Sequence, residues 1–153
     1  MKLKVSLISL VCGIGMLFAA ESKNIEITQP YTYTTRADSN MVGVFMHIKN
    51  LSSKPIRLLS GESERSKTFE IHKVEGEGKD KKMIAIKELE IKPKESLELK
   101  PGGLHLMLID LKSPLKKGEK VDVTLHFDNK EKITLEVPVQ ERKQDSSRGA
   151  HKR

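Results

Sequence analysis

Residues 120–140 read KVDVTLHFDNKEKITLEVPVQ. Apolar and polar residues alternate through KVDVTLHFDN, DNK supplies a turn, and the alternation resumes in KITLEVPVQ. A period of two belongs to a half-buried strand, because successive side chains of a strand point to opposite faces. Two such runs joined by a short Asp-Asn turn predict a β-hairpin. Pro138 falls inside the second run and has no N–H to give to a neighbour, so that strand is expected to lie near an edge at that point.

The same texture extends through the rest of the chain. LHLMLIDL (104–111) alternates, and KPKESLELKPGG (92–103) reads as a strand between turns. KMIAIKELEI (82–91) is one apolar-rich extended stretch, preceded by the polar loop EGEGKDKK (75–82). KTFEIHKV (67–74), PIRLLSG (55–61), YTYTT (31–35) and NIEIT (24–28) are further short segments. MVGVFMHIKN (41–50) places Val42, Val44, Met46 and Ile48 on one face, with Phe45 and His47 on the other. No stretch of about 12 residues or more shows a clean helical period. Many short strands at this spacing predict an all-β fold, a β-sandwich or Greek-key barrel.

The first 20 residues, MKLKVSLISLVCGIGMLFAA, have the form of a signal peptide: Lys2 and Lys4, an apolar run, then small residues at Ala19-Ala20. Cleavage there leaves a β domain over 21–140 and a basic, disordered tail over 141–153. Retention of the leader as an uncleaved membrane anchor is the alternative, although its apolar run is short for a span. Cys12, the only cysteine, leaves with the leader. Ser9-Leu10-Val11 lacks the small residue that lipid attachment at Cys12 would need. A mature chain of about 130 residues can bury a sizeable core, but without disulfides or thiol redox chemistry. The composition suits an exported protein of the periplasm. The formal net charge is +7. The excess sits at the two ends rather than along a stripe, which argues against nucleic-acid binding.

The chemistry lies in His72, Met83, His105 and Met107, spaced His-x10-Met-x21-His-x-Met. Imidazole suits copper, and thioether sulfur prefers Cu(I) to harder ions. His105 and Met107, two residues apart in a strand, project from one face while Leu104, Leu106 and Leu108 face the core. Pro101-Gly102-Gly103 would set that pair at the exposed mouth of its strand. His72 points away from the core beside Phe69 and Ile71, and a hairpin across 75–82 would return Met83 to it. Met46 is assigned to the core, His47 and His126 to solvent, and Met41 to the flank of the site. His151 in the tail is a loose copper contact at most. Glu70, Lys79, Lys81 and Lys82 would form a solvated face able to orient a partner.

These residues resemble the signature of the PCuAC family of periplasmic copper chaperones, His-(Met)-x10-Met-x21-His-x-Met. The resemblance extends to GVFMHIKN and to the segment around LHLM, over roughly residues 25–140. Lys73 stands at the optional Met position. The resemblance implies a cupredoxin-like β-barrel carrying Cu(I), and in some members Cu(II), toward cytochrome c oxidase or one of its assembly factors. It implies a copper-accepting protein as partner, no nucleic acid, and no stable membrane span after signal cleavage. The lack of a thiolate in the mature chain sets it apart from blue-copper electron carriers. No nucleophile–base motif or pair of catalytic carboxylates points to an enzyme. Copper storage or detoxification in the envelope, or a metal-free immunoglobulin-like binding module, are the other readings of the same residues.

Overall fold

The computed structural model describes residues 18–142. Cys12, His151 and most of the expected leader and tail lie outside them. The strands are β1 (Phe18–Glu21), β2 (Ile25–Tyr33), β3 (Met41–Asn50), β4 (Ile56–Glu62), β5 (Ser66–Glu75), β6 (Lys82–Ile86), β7 (Leu89–Ile91), β8 (Ser96–Leu99), β9 (His105–Leu111), β10 (Lys120–Phe127) and β11 (Lys132–Gln140). A 3-10 turn, Gly78–Asp80, interrupts the polar loop between β5 and β6. Among the described residues there is no helix long and apolar enough to cross a membrane. β1 lies antiparallel to β2, so Phe18–Ala20, read above as the end of the leader, run along the sheet.

The hydrogen-bonded path runs β6-β5-β9-β3-β2-β11-β10-β4-β7, with β1 attached to β2 and β8 to β3. β2 and β11 are parallel, and every other neighbouring pair is antiparallel. The all-β expectation holds. The path is open, with β6 and β7 at its ends, and its strands enclose one shared buried cluster.

The fold follows from alternation. Val42, Val44, Met46 and Ile48 of β3 are buried, as are Leu106 and Leu108 of β9 and Ile71 of β5. They share one cluster with Val121, Val123 and Leu125 of β10 and Ile133, Leu135 and Val137 of β11. Each fully buried aliphatic side chain contributes about 1.5–3 kcal/mol. In a domain without disulfides or tryptophan, this cluster is the principal source of stability.

Three local readings change. NIEIT and YTYTT belong to one strand, β2, whose register to β3 shifts between Thr28 and Tyr31. Gln29 there has φ 51, and Pro30 falls inside the irregularity, where its missing N–H costs no ladder bond. KMIAIKELEI divides into β6 and β7, which occupy opposite ends of the strand path. Pro138 sits in a strand flanked on both sides, yet its position is accommodated. Val139 N–H donates to Glu119 of the turn before β10, so the nitrogen of Pro138 faces the other way. On that side, pairing of β11 with β2 begins only at Val139.

Candidate metal centre

The site residues stand on three neighbouring strands, β6, β5 and β9, on the sheet face turned away from the core. In the β5–β9 ladder His72 lies directly opposite His105, and Glu70 directly opposite Met107. In the β5–β6 ladder Val74 lies opposite Met83. Directly opposed residues of an antiparallel pair share a face, and so do residues two apart along a strand. Hence His72, Met83, His105 and Met107 all project from one side. The rings of His72 and His105 have centroids 5.4 Å apart. Met83, His105 and Met107 line one cleft of about 600 Å³.

The cleft is less open than the sequence suggests. His105 is 4% exposed and Met107 7%. Opposite them the cleft is lined by Thr34, Thr35 and Arg36, by the Pro101-Gly102 turn and by Arg142, all distant from the pair in sequence except the turn. Met83, 59% exposed, is the accessible member. Met41 lines the same cleft and is 45% exposed.

An aromatic wall backs His105. Its ring lies 6.2 Å from that of Phe45, which packs on Tyr31 and Tyr33 at 5.2 and 5.8 Å. Burial, with Tyr33 alongside, pushes the Tyr31 phenol pKa above its ordinary value. The Phe45 ring covers Gly43, which pairs with Met107; a Cβ on Gly43 would meet Phe45 Cζ at 2.7 Å. Glycine therefore leaves the room that the ring occupies.

Hydrogen bonds fix the protons on both imidazoles. His105 Nδ1 is 2.8 Å from the Gly103 carbonyl. A carbonyl only accepts, so Nδ1 carries the hydrogen and Nε2 keeps a free lone pair. His72 Nε2 is 2.6 Å from Glu70 Oε2. An ionised carboxylate only accepts, so Nε2 carries the hydrogen. In the neutral imidazole, the form that can bind a metal, His72 Nδ1 is then a lone pair that is buried and without a hydrogen-bond partner, a distinction shared among the described residues only with Ser66 Oγ. Leaving such an atom unpartnered costs about 1–3 kcal/mol, and a metal ion would relieve it. Two imidazole lone pairs with two thioethers on one face form a donor set that fits a soft ion.

Glu70, read as part of a solvated face, is partly exposed and is also bonded to His72. Its position two residues before His72 on the same strand was the available signal. His47 and His126 lie apart from the site: His47 is 4.0 Å from Glu98, and His126 is 3.6 Å from Glu62. Met46 is fully buried in the core.

Comparison with known proteins agrees with this architecture. Residues 25–139 match the family profile described as "Putative lipoprotein LpqE-like". The curated "Putative lipoprotein Lxx21020" of Leifsonia xyli subsp. xyli (strain CTCB07) is 32% identical over 106 residues, 69% of this chain. The match spans 64% of that relative's length, just under two thirds. Among solved structures, the "Copper-bound PCuAC domain from PmoF2" superposes with a TM-score of 0.68 at 18% identity, covering 80% of this chain and 98% of that one. The solution structure of CuI-DR1885 from Deinococcus radiodurans gives 0.63 at 22% identity, covering 80% and 84%. At these identities the likeness speaks for the fold, which is the cupredoxin-like fold of PCuAC domains. On the profile match over most of its length, the chain belongs to the LpqE-like family.

Proposed function

We propose that this protein is a copper chaperone of the cell envelope. It binds Cu(I) through His72, Met83, His105 and Met107 and delivers it to a copper-accepting protein, cytochrome c oxidase or an assembly factor of that enzyme. The observation that carries the reading is the juxtaposition of His72 and His105, rings 5.4 Å apart, on the face that also bears Met83 and Met107. The copper-bound and CuI forms of the structural neighbours support it, as does the lipoprotein description of the family, which suits an exported, periplasmic protein.

As ligands, imidazole and thioether are neutral, so the four would hold a monovalent ion without thiolate bonds that would have to be broken on release. Neutral nitrogen and sulfur donors favour Cu(I), and the two imidazoles also suit Cu(II). The exposed Met83 is the donor that an acceptor's ligands can replace first, while the buried His105 and Met107 hold the ion until exchange is complete.

A competition titration with Cu(I) tests the assignment. His105→Ala is expected to weaken binding by at least about tenfold, the scale of losing one good ligand contact. Equal affinity in wild type and variant would defeat it. Delivery is tested in cells: deletion of the gene is expected to lower oxidase activity, with rescue by added copper. Copper sensitivity with intact oxidase would point to detoxification instead.

A further inference from the structure

We propose that Glu70 is a positioning residue of the metal centre, holding the His72 ring so that copper binds Nδ1 of His72 rather than Nε2. This rests on the copper reading of the site, and it adds a residue outside the four-ligand motif.

The geometry is local and specific. Glu70 and His72 lie two apart on β5, so their side chains leave the same face of the strand. The contact of 2.6 Å between Glu70 Oε2 and His72 Nε2 is short, as for a charge-assisted hydrogen bond. It occupies one ring nitrogen as a donor and leaves the other, Nδ1, as a bare lone pair. That lone pair is buried and has no protein partner. The carboxylate side chain is 39% exposed while that of His72 is 13% exposed, so the charge stays near water and the imidazole lies inside.

His105 is held the opposite way. Its Nδ1–H donates to the Gly103 carbonyl, leaving Nε2 for the ion. The two imidazoles thus offer different nitrogens, each chosen by the hydrogen bond at the other end of the ring. A carboxylate behind a ligand histidine also raises the basicity of the donating nitrogen, and loss of such a partner typically weakens metal binding by about 10–100-fold. Glu70 further faces Met107 across the ladder, which places a negative charge beside a site whose four proposed ligands are neutral.

Nitrogen-15 spectra of the histidine rings test this on the full mature protein, first without metal. Wild type and Glu70→Gln, which keeps an acceptor oxygen, are expected to show His72 as the Nε2–H tautomer; Glu70→Ala is expected to show a mixture. His105 should remain Nδ1–H in all three. After anaerobic loading with Cu(I), the coordination shift is expected at His72 Nδ1 and His105 Nε2. Affinity should fall by roughly 10–100-fold in Glu70→Ala and by less in Glu70→Gln. A metal-free His72 protonated at Nδ1, copper bound through His72 Nε2, or wild-type affinity in Glu70→Ala would each overturn the role of Glu70 and leave the copper reading standing. No copper-induced shift at either histidine would overturn the copper reading itself, and this proposal with it.

Discussion

His72 and His105 are directly paired across β5 and β9, and their rings meet at 5.4 Å on the face away from the core. The pairing joins residues that are far apart in sequence, and neither strand is an edge: β9 is flanked by β5 and β3, and β5 by β6 and β9. The two imidazoles are therefore held by continuous ladders, and the two methionines project from the same face as this fixed pair.

The methionines allow ligation to be separated from packing. Met83→Leu, at an exposed position, should leave stability within about 0.5 kcal/mol of wild type. Met107→Leu conserves volume in a buried position and should cost less than about 1.5 kcal/mol. Both should weaken Cu(I) binding, because leucine offers no sulfur. Urea unfolding beside a copper competition titration checks the pair; undiminished affinity in both variants would remove the thioethers from the site.

Gly43 carries a different expectation. Alanine there would press on the Phe45 ring, which is buried and packed on Tyr31, Tyr33 and His105. The variant should be less stable by about 1–3 kcal/mol, as for overpacking. It should also bind Cu(I) more weakly, since the ring that must move is the one backing His105. Full stability in Gly43→Ala would show that the aromatic wall yields freely.

Acid stability should depend on Glu119. The backbone N–H of Lys116, and then the Arg65 guanidinium, hold its carboxyl below the ordinary value of 4.5. Arg65 reaches it through two nitrogens, each at 3.2 Å. A group with a lowered folded pKa adds stability above its unfolded pKa and loses it as pH falls through the folded one. Glu119→Gln should therefore lose less stability than wild type between about pH 5 and the acid limit of folding. Parallel acid losses in urea melts at stepped pH would refute the linkage.

Much of this was legible in the sequence because alternation is a local signal. MVGVFMHIKN coincides with β3 from end to end, and its inward face is the one that the pattern assigns. The common face of His105 and Met107 follows from their spacing alone. What could not be read is set by contacts distant in sequence. KMIAIKELEI changes phase across Lys87-Glu88, from Ile84 and Ile86 to Leu89 and Ile91, which marks a break, but nothing local says that Leu89 and Ile91 will pair with Leu58 and Ile56 at the far end of the path. Pro30 looks like a break, but a bulge absorbs it. The cleft that holds His105 is lined by residues remote from it in sequence, among them Arg36, 69 positions before it, and Arg142, 37 after it. The bond from Glu70 to His72 needed only the spacing of a strand, and was missed because a charged residue on the outward face of a strand reads as solvated.

The terminal place of β6 has a mechanical consequence. Met83 is carried by a strip of backbone zipped to the sheet along one margin only, by β5, whereas the other three candidate donors ride on strands secured along both. Peeling that strip would unlatch a single sulfur while most of the hydrophobic interior stays sealed, since no β6 residue belongs to the fully buried set and only Ile86 packs against the core. On the copper reading proposed above, the ion would be given up by fraying at one hem of the fabric, without any unfolding of the cloth.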